Sequence, residues 1–175
     1  GLSTENLLSA YLPYLIGFAL MAVKVFLLLR LLAGIRHMAE EELARLKNSN
    51  ISLYLERLEN NRRLLLIFRK PVILLMRLDG YMKTGENGKI RRLIRQLDGM
   101  KLVPRDKVEY LQKRMSFFIS VGEESEARAS FEALVGYLRA AKADGVGIYS
   151  DMIAEGEEII RVYLDKDVGY IPELA

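Results

Sequence analysis

Tyr81-Met82-Lys83-Thr84-Gly85-Glu86 and Phe118-Ile119-Ser120-Val121-Gly122-Glu123 repeat one pattern of residue types 37 positions apart. In each stretch an aromatic residue stands four positions before a glycine, and small or apolar residues follow the glycine by five, nine and twelve positions. Residues at this spacing share one face of a helix, and glycine permits a tight turn between two helices. The pattern predicts two helix-turn-helix units, whose defining residues are Tyr81, Gly85, Ile90 and Ile94, then Phe118, Gly122, Ala127 and Phe131.

Over about residues 72–141 these units resemble the tetratricopeptide repeat (TPR). That family has an inward aromatic residue, a turn glycine, a small residue where the helices approach closely, and a large apolar residue beyond it. The second unit matches better, because Ala127 is small where the first unit has Ile90. The offset of 37 exceeds the usual 34, and the family's Trp and Gly signature in the first helix is absent. The resemblance implies a short stack of antiparallel helical hairpins that binds protein; the alternative is an ordinary antiparallel bundle with glycine in its turns.

The composition favours an all-α protein of about one domain. The chain has 175 residues, no Trp, no Cys and only four Pro, so a disulfide framework and a zinc-thiolate site are excluded. We predict a membrane anchor helix at 1–35, a juxtamembrane helical segment at 36–70, a TPR-like hairpin domain at 71–167 that ends in a capping helix, and a tail at 168–175.

The anchor prediction depends on an apolar run at residues 8–29, which is long enough to cross a hydrocarbon core of roughly 30 Å. Only Lys24 and Arg30 are charged within residues 11–35. If Arg30 marks the membrane boundary, Lys24 lies roughly 9 Å inside it and its ammonium group reaches the interface by snorkelling. Arg36, Arg45 and Lys47 follow the span, so the positive-inside rule predicts that the C-terminal domain is cytoplasmic.

Three other interpretations of this run remain open. A surface amphipathic helix needs a polar face, yet Lys24 and Arg30 are about 240° apart around a helix. A signal peptide normally begins with positive charge, whereas only Glu5 precedes the run. The third alternative is a helix buried in a soluble core.

Turn and cap signals divide the rest of the chain. Asn50 or Ser52 is expected to cap a helix that runs to about Arg69, and Pro71 is expected near the start of the next one. Further helices are predicted at 72–83, 89–97, 107–121, 123–143 and 146–166, with Asp106 as a cap. An Asp144-Gly145 turn precedes the last of them.

Positive charge is concentrated in the middle of the chain, where residues 35–109 carry a net +7, against +1 before them and −5 after them. The candidate basic surface is Lys89, Arg91, Arg92 and Arg95 on one predicted helix. Anionic lipid, nucleic acid or plain solvent could face such a surface. No base-stacking aromatic residues alternate with these cations, so nucleic acid is the less favoured partner.

The sequence offers little material for catalysis. His37 is the only histidine, so nucleophilic triads that use histidine lack a base beside a nucleophile. Glu155 and Glu158 share a helical face but lack the Glu-x-x-His partner of a diiron site, and Asp165 to Gly169 lacks most of a calcium loop. We predict no catalytic residues, no metal site and no cofactor.

These patterns together predict a single-pass membrane protein whose cytoplasmic helical domain is a scaffold or adaptor for a protein partner. The lipid bilayer is the second expected partner. Two alternatives remain open: a small structural subunit of a larger membrane assembly, and a soluble basic bundle that binds nucleic acid or a regulatory partner. The oligomeric state is not predicted.

Overall fold

A computed structural model describes residues 4–140 and 146–165, and the regular structure in these ranges is entirely helical. The helices are α1 (Thr4–Ser49), α2 (Ile51–Asn60), α3 (Leu64–Ile67), α4 (Lys70–Thr84), α5 (Asn87–Asp98), α6 (Pro104–Ser120), α7 (Glu124–Ala140) and α8 (Val146–Tyr163). The all-α prediction is confirmed. The predicted Asp144-Gly145 turn and the tail at 168–175 lie outside the described residues.

Helix α1 is one continuous helix of 46 residues, about 69 Å long. It is long and apolar enough to cross a membrane, judged by length and composition. Every side chain that is described between residues 12 and 38 is exposed, whereas Leu43 is buried against the domain. The domain therefore covers only the last turns of α1, and the alternative in which the apolar run is buried in the chain's own core is wrong for the described residues.

The core lies among the helices from α2 to α7. Helix α4 is central, because it packs against α2, α5 and α6, while α6 packs against α7 and α7 against α8. The most completely buried large side chains are Leu78, Tyr81, Ile90, Leu97, Tyr110, Leu111, Phe117 and Leu134. These residues come from α4, α5, α6 and α7, so one core joins the two predicted helix-turn-helix units.

The segment between α1 and α4 differs from the prediction. The side chain of Asn50 does cap α2, accepting a hydrogen bond from the Leu53 amide at 3.0 Å. The helix ends at Asn60 rather than near Arg69, because Asn61 takes an extended backbone and its side chain accepts from the Arg63 amide at 3.0 Å. A separate four-residue helix, α3, follows.

Proline starts two helices. Pro71 lies in the first turn of α4, as predicted. Helix α6 begins at Pro104, earlier than expected, and Val103 occupies its N-cap position. The prediction that Asp106 caps this helix is therefore wrong. Asp106 is buried in the first turn, where its carboxylate accepts hydrogen bonds from Arg69 at 2.9 and 3.3 Å.

The two echoing stretches form turns that share a backbone hydrogen bond from the glutamate to the aromatic residue. The amide of Glu86 donates to the Tyr81 carbonyl at 3.2 Å, and the amide of Glu123 donates to the Phe118 carbonyl at 2.9 Å. The residues before them, Gly85 and Gly122, have φ of 71° and 74°. This is the geometry in which a left-handed glycine closes a helix.

The same glutamates begin the following helices. The Glu86 carbonyl accepts from the Ile90 amide at 3.1 Å, and the Glu123 carbonyl accepts from the Ala127 amide at 3.0 Å. Each pair of helices is thus joined by a short connection that contains one glycine at positive φ.

Substituting Gly122 by Ala should destabilise the domain by about 1 kcal/mol, because an L residue is strained at positive φ. Nothing lies within 4 Å of the added Cβ, so the cost is conformational. The Tm of the full chain, measured by thermal unfolding in detergent, should fall by about 2–4 °C. Gly136→Ala is the control: this site, inside α7, is equally open, and the substitution should stabilise by up to about 1 kcal/mol. Equal shifts in the same direction would contradict the assigned role of the turn.

Candidate functional site

The four residues of the candidate basic surface lie along two edges of α5. The buried stripe of this helix consists of Ile90, Leu93, Ile94 and Leu97. Lys89 and Arg92 lie on one edge and line a cleft of about 230 Å³ with Glu59, Arg77 and Tyr81. Arg91 and Arg95 lie on the other edge, where the helix faces α6 and α7. The helical spacing explains the division, because residues three or four apart lie on one face of a helix and adjacent residues do not.

Lys89 is engaged at the first turn. Its ammonium group pairs with the Glu86 carboxylate at 2.7 Å and lies 4.7 Å from the centre of the Tyr81 ring. The hydrogen bond from Lys89 lowers the pKa of Glu86 below its ordinary value. Lys89 thus contacts both the aromatic residue and the glutamate of the turn that precedes its own helix.

Arg91 is engaged at the second turn. Its guanidinium makes two hydrogen bonds to the Glu123 carboxylate, one of them at 3.1 Å, and lies 5.4 Å from the ring centre of Phe117 and 6.0 Å from that of Phe118. The hydrogen bonding between these two side chains lowers the pKa of Glu123 and raises the pKa of Arg91. Bidentate pairing of this kind fixes geometry as well as charge. Arg91 therefore connects the first helical unit to the turn of the second.

Arg92 and Arg95 are exposed, and neither forms an ion pair with any residue that the structure describes. Arg95 lines the second cleft, of about 310 Å³, which we call the α5–α7 cleft; its lining is Arg91, Ile94, Arg95, Asp98, Arg114, Phe118, Glu123 and Glu126. The buried side chains of Ile94 and Phe118 give it an apolar floor beneath a charged rim. Such a cleft can hold an apolar side chain beside a carboxylate.

Arg114 organises the far wall of this cleft. Its guanidinium pairs with Asp98 at 3.3 Å and with Glu126 at 3.0 Å, and lies 5.6 Å from the ring centre of Phe118. The Tyr110 hydroxyl donates to Asp98 at 2.6 Å. Burial and the neighbouring Asp98 raise the pKa of Tyr110, so this phenol stays protonated and acts as a donor. The wall is a frame of hydrogen bonds and ion pairs among Tyr110, Asp98, Arg114 and Glu126.

A second cluster joins α1 to the domain. The Asp79 carboxylate on α4 pairs with Lys47 on α1 and with Lys113 on α6, the latter at 3.1 Å. Burial opposes ionisation of Asp79, but the hydrogen bonds from the two lysines outweigh it and lower its pKa. Sequence reasoning missed this cluster, because no short-range spacing relates its three members.

The other predicted residues lie where the helical pattern placed them, with one qualification. Tyr81, Ile90, Ile94, Phe118 and Ala127 are buried. Phe131 is half-buried and contacts α8, where a Cβ on Gly156 would come within 2.6 Å of its ring. His37 is exposed on α1, 3.4 Å from Glu41. In the described part of the chain, no group of three His, Cys, Asp or Glu residues is placed to hold a metal ion.

Comparison of the chain with family models, with curated proteins and with solved structures finds no match. Function must therefore be inferred from the contacts, charges and exposures of the chain itself. The features that offer a surface to other molecules are the exposed apolar length of α1, the α5–α7 cleft and the exposed cations near α3.

Substituting Asp79 by Asn should destabilise the domain by about 1–2 kcal/mol, because two lysines lose their carboxylate. A carboxyl whose pKa is lowered on folding contributes stability above its unfolded pKa of about 3.9, and that contribution is lost as the pH falls through the folded value. The difference between wild type and Asp79→Asn should therefore be full at pH 7 and shrink below about pH 4, as measured by unfolding in detergent.

Glu40→Gln is the matched control for this prediction. Its partner Arg36 is a surface residue on the same helix, and such pairs contribute about 0.3–0.5 kcal/mol. Hydrogen exchange of the α1 amides near Lys47 should rise in Asp79→Asn and not in Glu40→Gln. Equal protection in the two variants would show that Asp79 does not hold α1 against the domain.

Proposed function

We propose that this chain is a single-pass membrane protein whose cytoplasmic helical domain is a scaffold that holds a protein partner at the bilayer. The observation that carries the proposal is the division of α1 into an exposed apolar length and a packed end. Large apolar side chains such as Phe18, Leu20 and Phe26 are 59–74% exposed, and so are their neighbours around the helix. Contiguous apolar surface of this extent normally contacts a membrane or another protein.

The bilayer accounts best for this surface. The exposed residues surround the helix on all sides, whereas a docking stripe for one partner would leave a polar face. Arg36, Arg45 and Lys47 follow the apolar length, which supports a cytoplasmic position for the domain. The alternative of a structural subunit in a larger membrane assembly draws on the same surface, with other transmembrane helices in place of some of the lipid.

The proposed scaffold is a TPR-like stack of two hairpins, α4 with α5 and α6 with α7. It is supported by the matching hydrogen bonds of the two turns, by the packing of α4 on α6, and by the contact of Phe131 with α8 at Gly156. In this interpretation α8 is the capping helix. Helical repeats generally bind proteins through the grooves between their units.

We place the partner in the α5–α7 cleft. Its apolar floor at Ile94 and Phe118 and the exposed guanidinium of Arg95 fit a peptide segment with an acidic residue beside an apolar one. The opposite edge of α5 carries Arg92, which is also exposed and, like Arg95, forms no ion pair with a described residue. The two arginines therefore separate a cleft-specific contact from a general effect of positive charge.

The anchor is tested by alkaline carbonate extraction of cell membranes. The full chain should remain in the membrane pellet, and Leu20→Arg with Leu27→Arg should release it, because each arginine near the bilayer centre costs roughly 2.5–3.5 kcal/mol. Leu53→Arg is the control: this leucine is exposed on α2, outside the span, and its substitution should leave the chain in the pellet. Wild-type chain in the supernatant would refute the anchor.

The partner site is tested by proximity labelling from the full chain in its native cells. Arg95→Glu should reduce labelling of a defined partner by about tenfold or more, because one charge pair becomes a repulsion. Arg92→Glu, on the opposite edge of the same helix, should leave labelling near the wild-type level. A loss common to both variants would indicate a nonspecific electrostatic contact, and unchanged labelling in both would exclude the cleft.

A further inference from the structure

Helix α3 exposes two leucines that nothing in the described structure covers. Leu66 is 86% exposed, the highest value for a large apolar side chain among the described residues, and Leu65 is 54% exposed. Their neighbours Leu64 and Phe68 are buried at 5% and 3%. The short helix is thus fixed to the core on one side and presents its leucines on the other.

Cations flank these leucines. Arg62, Arg63 and Lys70 are exposed and form no ion pair with any residue in the described ranges. Arg69 is already engaged by the buried Asp106. We call residues 62–70 the α3 apex. Exposed leucines lie between basic residues there, a composition typical of segments that lie in the interface of an anionic membrane.

Three contacts with α1 locate the α3 apex. Arg57 on α2 pairs with Glu42 at 2.9 Å, the Phe68 ring centre lies 5.7 Å from the guanidinium of Arg36, and Asp79 on α4 pairs with Lys47. Going along the chain, the contact point on α1 moves from residue 42 to 36 and then back to 47. The chain therefore runs back along α1 toward its apolar length, turns at α3, and departs again in α4.

The turning point lies close to the proposed bilayer. Arg36 is six residues beyond Arg30, the expected end of the span, which corresponds to about 9 Å along the helix. The headgroup layer is roughly 5–8 Å thick on each side of the hydrocarbon core. Measured along α1, the contact at Arg36 therefore lies at about the outer edge of that layer.

We propose that the α3 apex is a second membrane-contact site, specific for an anionic lipid surface. Leu65 and Leu66 enter the boundary between headgroups and acyl chains, and Arg62, Arg63 and Lys70 bind anionic headgroups. The proposal rests on the membrane anchor proposed above. Because α1 holds the apex beside the bilayer, two leucines and three cations suffice where a free peptide of that size would bind weakly. The contact sets the tilt of the domain on the membrane surface.

The test uses the absence of tryptophan from this chain, so that one introduced tryptophan is the only one. Leu66→Trp, Leu53→Trp and Phe18→Trp are made in the full chain and reconstituted in vesicles of equal parts phosphatidylserine and brominated phosphatidylcholine. Bromine quenches tryptophan that lies in the bilayer. The emission of Trp in Leu66→Trp and in Phe18→Trp should be quenched, and that in Leu53→Trp, on the exposed surface of α2, should not.

The outcomes separate the apex from the anchor. Quenching in Phe18→Trp without quenching in Leu66→Trp overturns the α3 contact and leaves the anchor standing. Quenching in neither refutes both. A blue shift in Leu66→Trp that appears without bromine quenching means that a second copy or another protein covers the apex, which also overturns the proposal.

The basic residues of the α3 apex are tested in the Leu66→Trp background. Arg62→Gln, Arg63→Gln and Lys70→Gln should each weaken the quenched state roughly fivefold in vesicles that contain phosphatidylserine. They should have little effect in vesicles of phosphatidylcholine alone. Arg139→Gln, an exposed cation at the end of α7, is the matched control and should not change quenching in either vesicle. Equal effects in the two vesicle types would overturn the anionic specificity.

Discussion

The carboxylate of Asp79 joins three helices that are far apart in the sequence, α1, α4 and α6. It pairs with Lys47 near the end of α1 and with Lys113 in the middle of α6, and it belongs to α4, the helix around which the domain is packed. Because α1 is unbroken from its apolar length to Ser49, fixing Lys47 also fixes the direction of the apolar length relative to the domain. A flexible linker would leave the domain free to rotate relative to the apolar length. Here a half-buried carboxylate with two ammonium partners, together with the Arg57–Glu42 pair and the buried Leu43, sets which end of the domain faces the apolar run.

A cationic side chain of α5 packs against each of the two glycine turns, a role that helical periodicity alone does not predict. Lys89 contacts the aromatic residue and the glutamate of the first turn, and Arg91 contacts the corresponding residues of the second. Both cations come from the first two turns of α5, on either side of the buried Ile90. Lys89 and Arg91, two of the four residues of the candidate basic surface, are thus bound within the two turns. Only Arg92 and Arg95 remain as exposed charge on this helix without a described ion pair, and they face different clefts.

The sequence predicted the helix boundaries at Gly85, Gly122 and Pro71, but it placed the start of α6 at residue 107 rather than at Pro104. Gly85, Gly122 and Pro71 act locally, through φ and the missing amide of proline, so their effect is independent of the rest of the fold. The break after Asn60 was missed because the apolar spacing continues across it to Leu65 and Phe68, whereas the fold turns the chain there to bury Phe68 beside α1. Asp106 was taken for a cap because a local reading cannot foresee Arg69, 37 positions away. Pairs such as Arg91 with Glu123 depend on tertiary packing in the same way.

Ion pairing distinguishes the cations of residues 35–109 that hold a carboxylate from those that remain exposed without a described partner. The net +7 already counts the carboxylates that pair with Lys47, Arg69, Arg77 and Lys89, whereas Arg91 pairs with Glu123, outside these residues. The excess positive charge therefore lies on the cations that have no such partner. The exposed cations without a described partner include Arg62, Arg63 and Lys70, clustered at the turn that lies nearest the apolar length of α1. A nucleic-acid surface would instead require a continuous basic track that follows a phosphate backbone. At the α3 apex the unpaired cations lie beside exposed leucines, next to the apolar length of α1. This arrangement favours an anionic lipid surface as the partner of these cations.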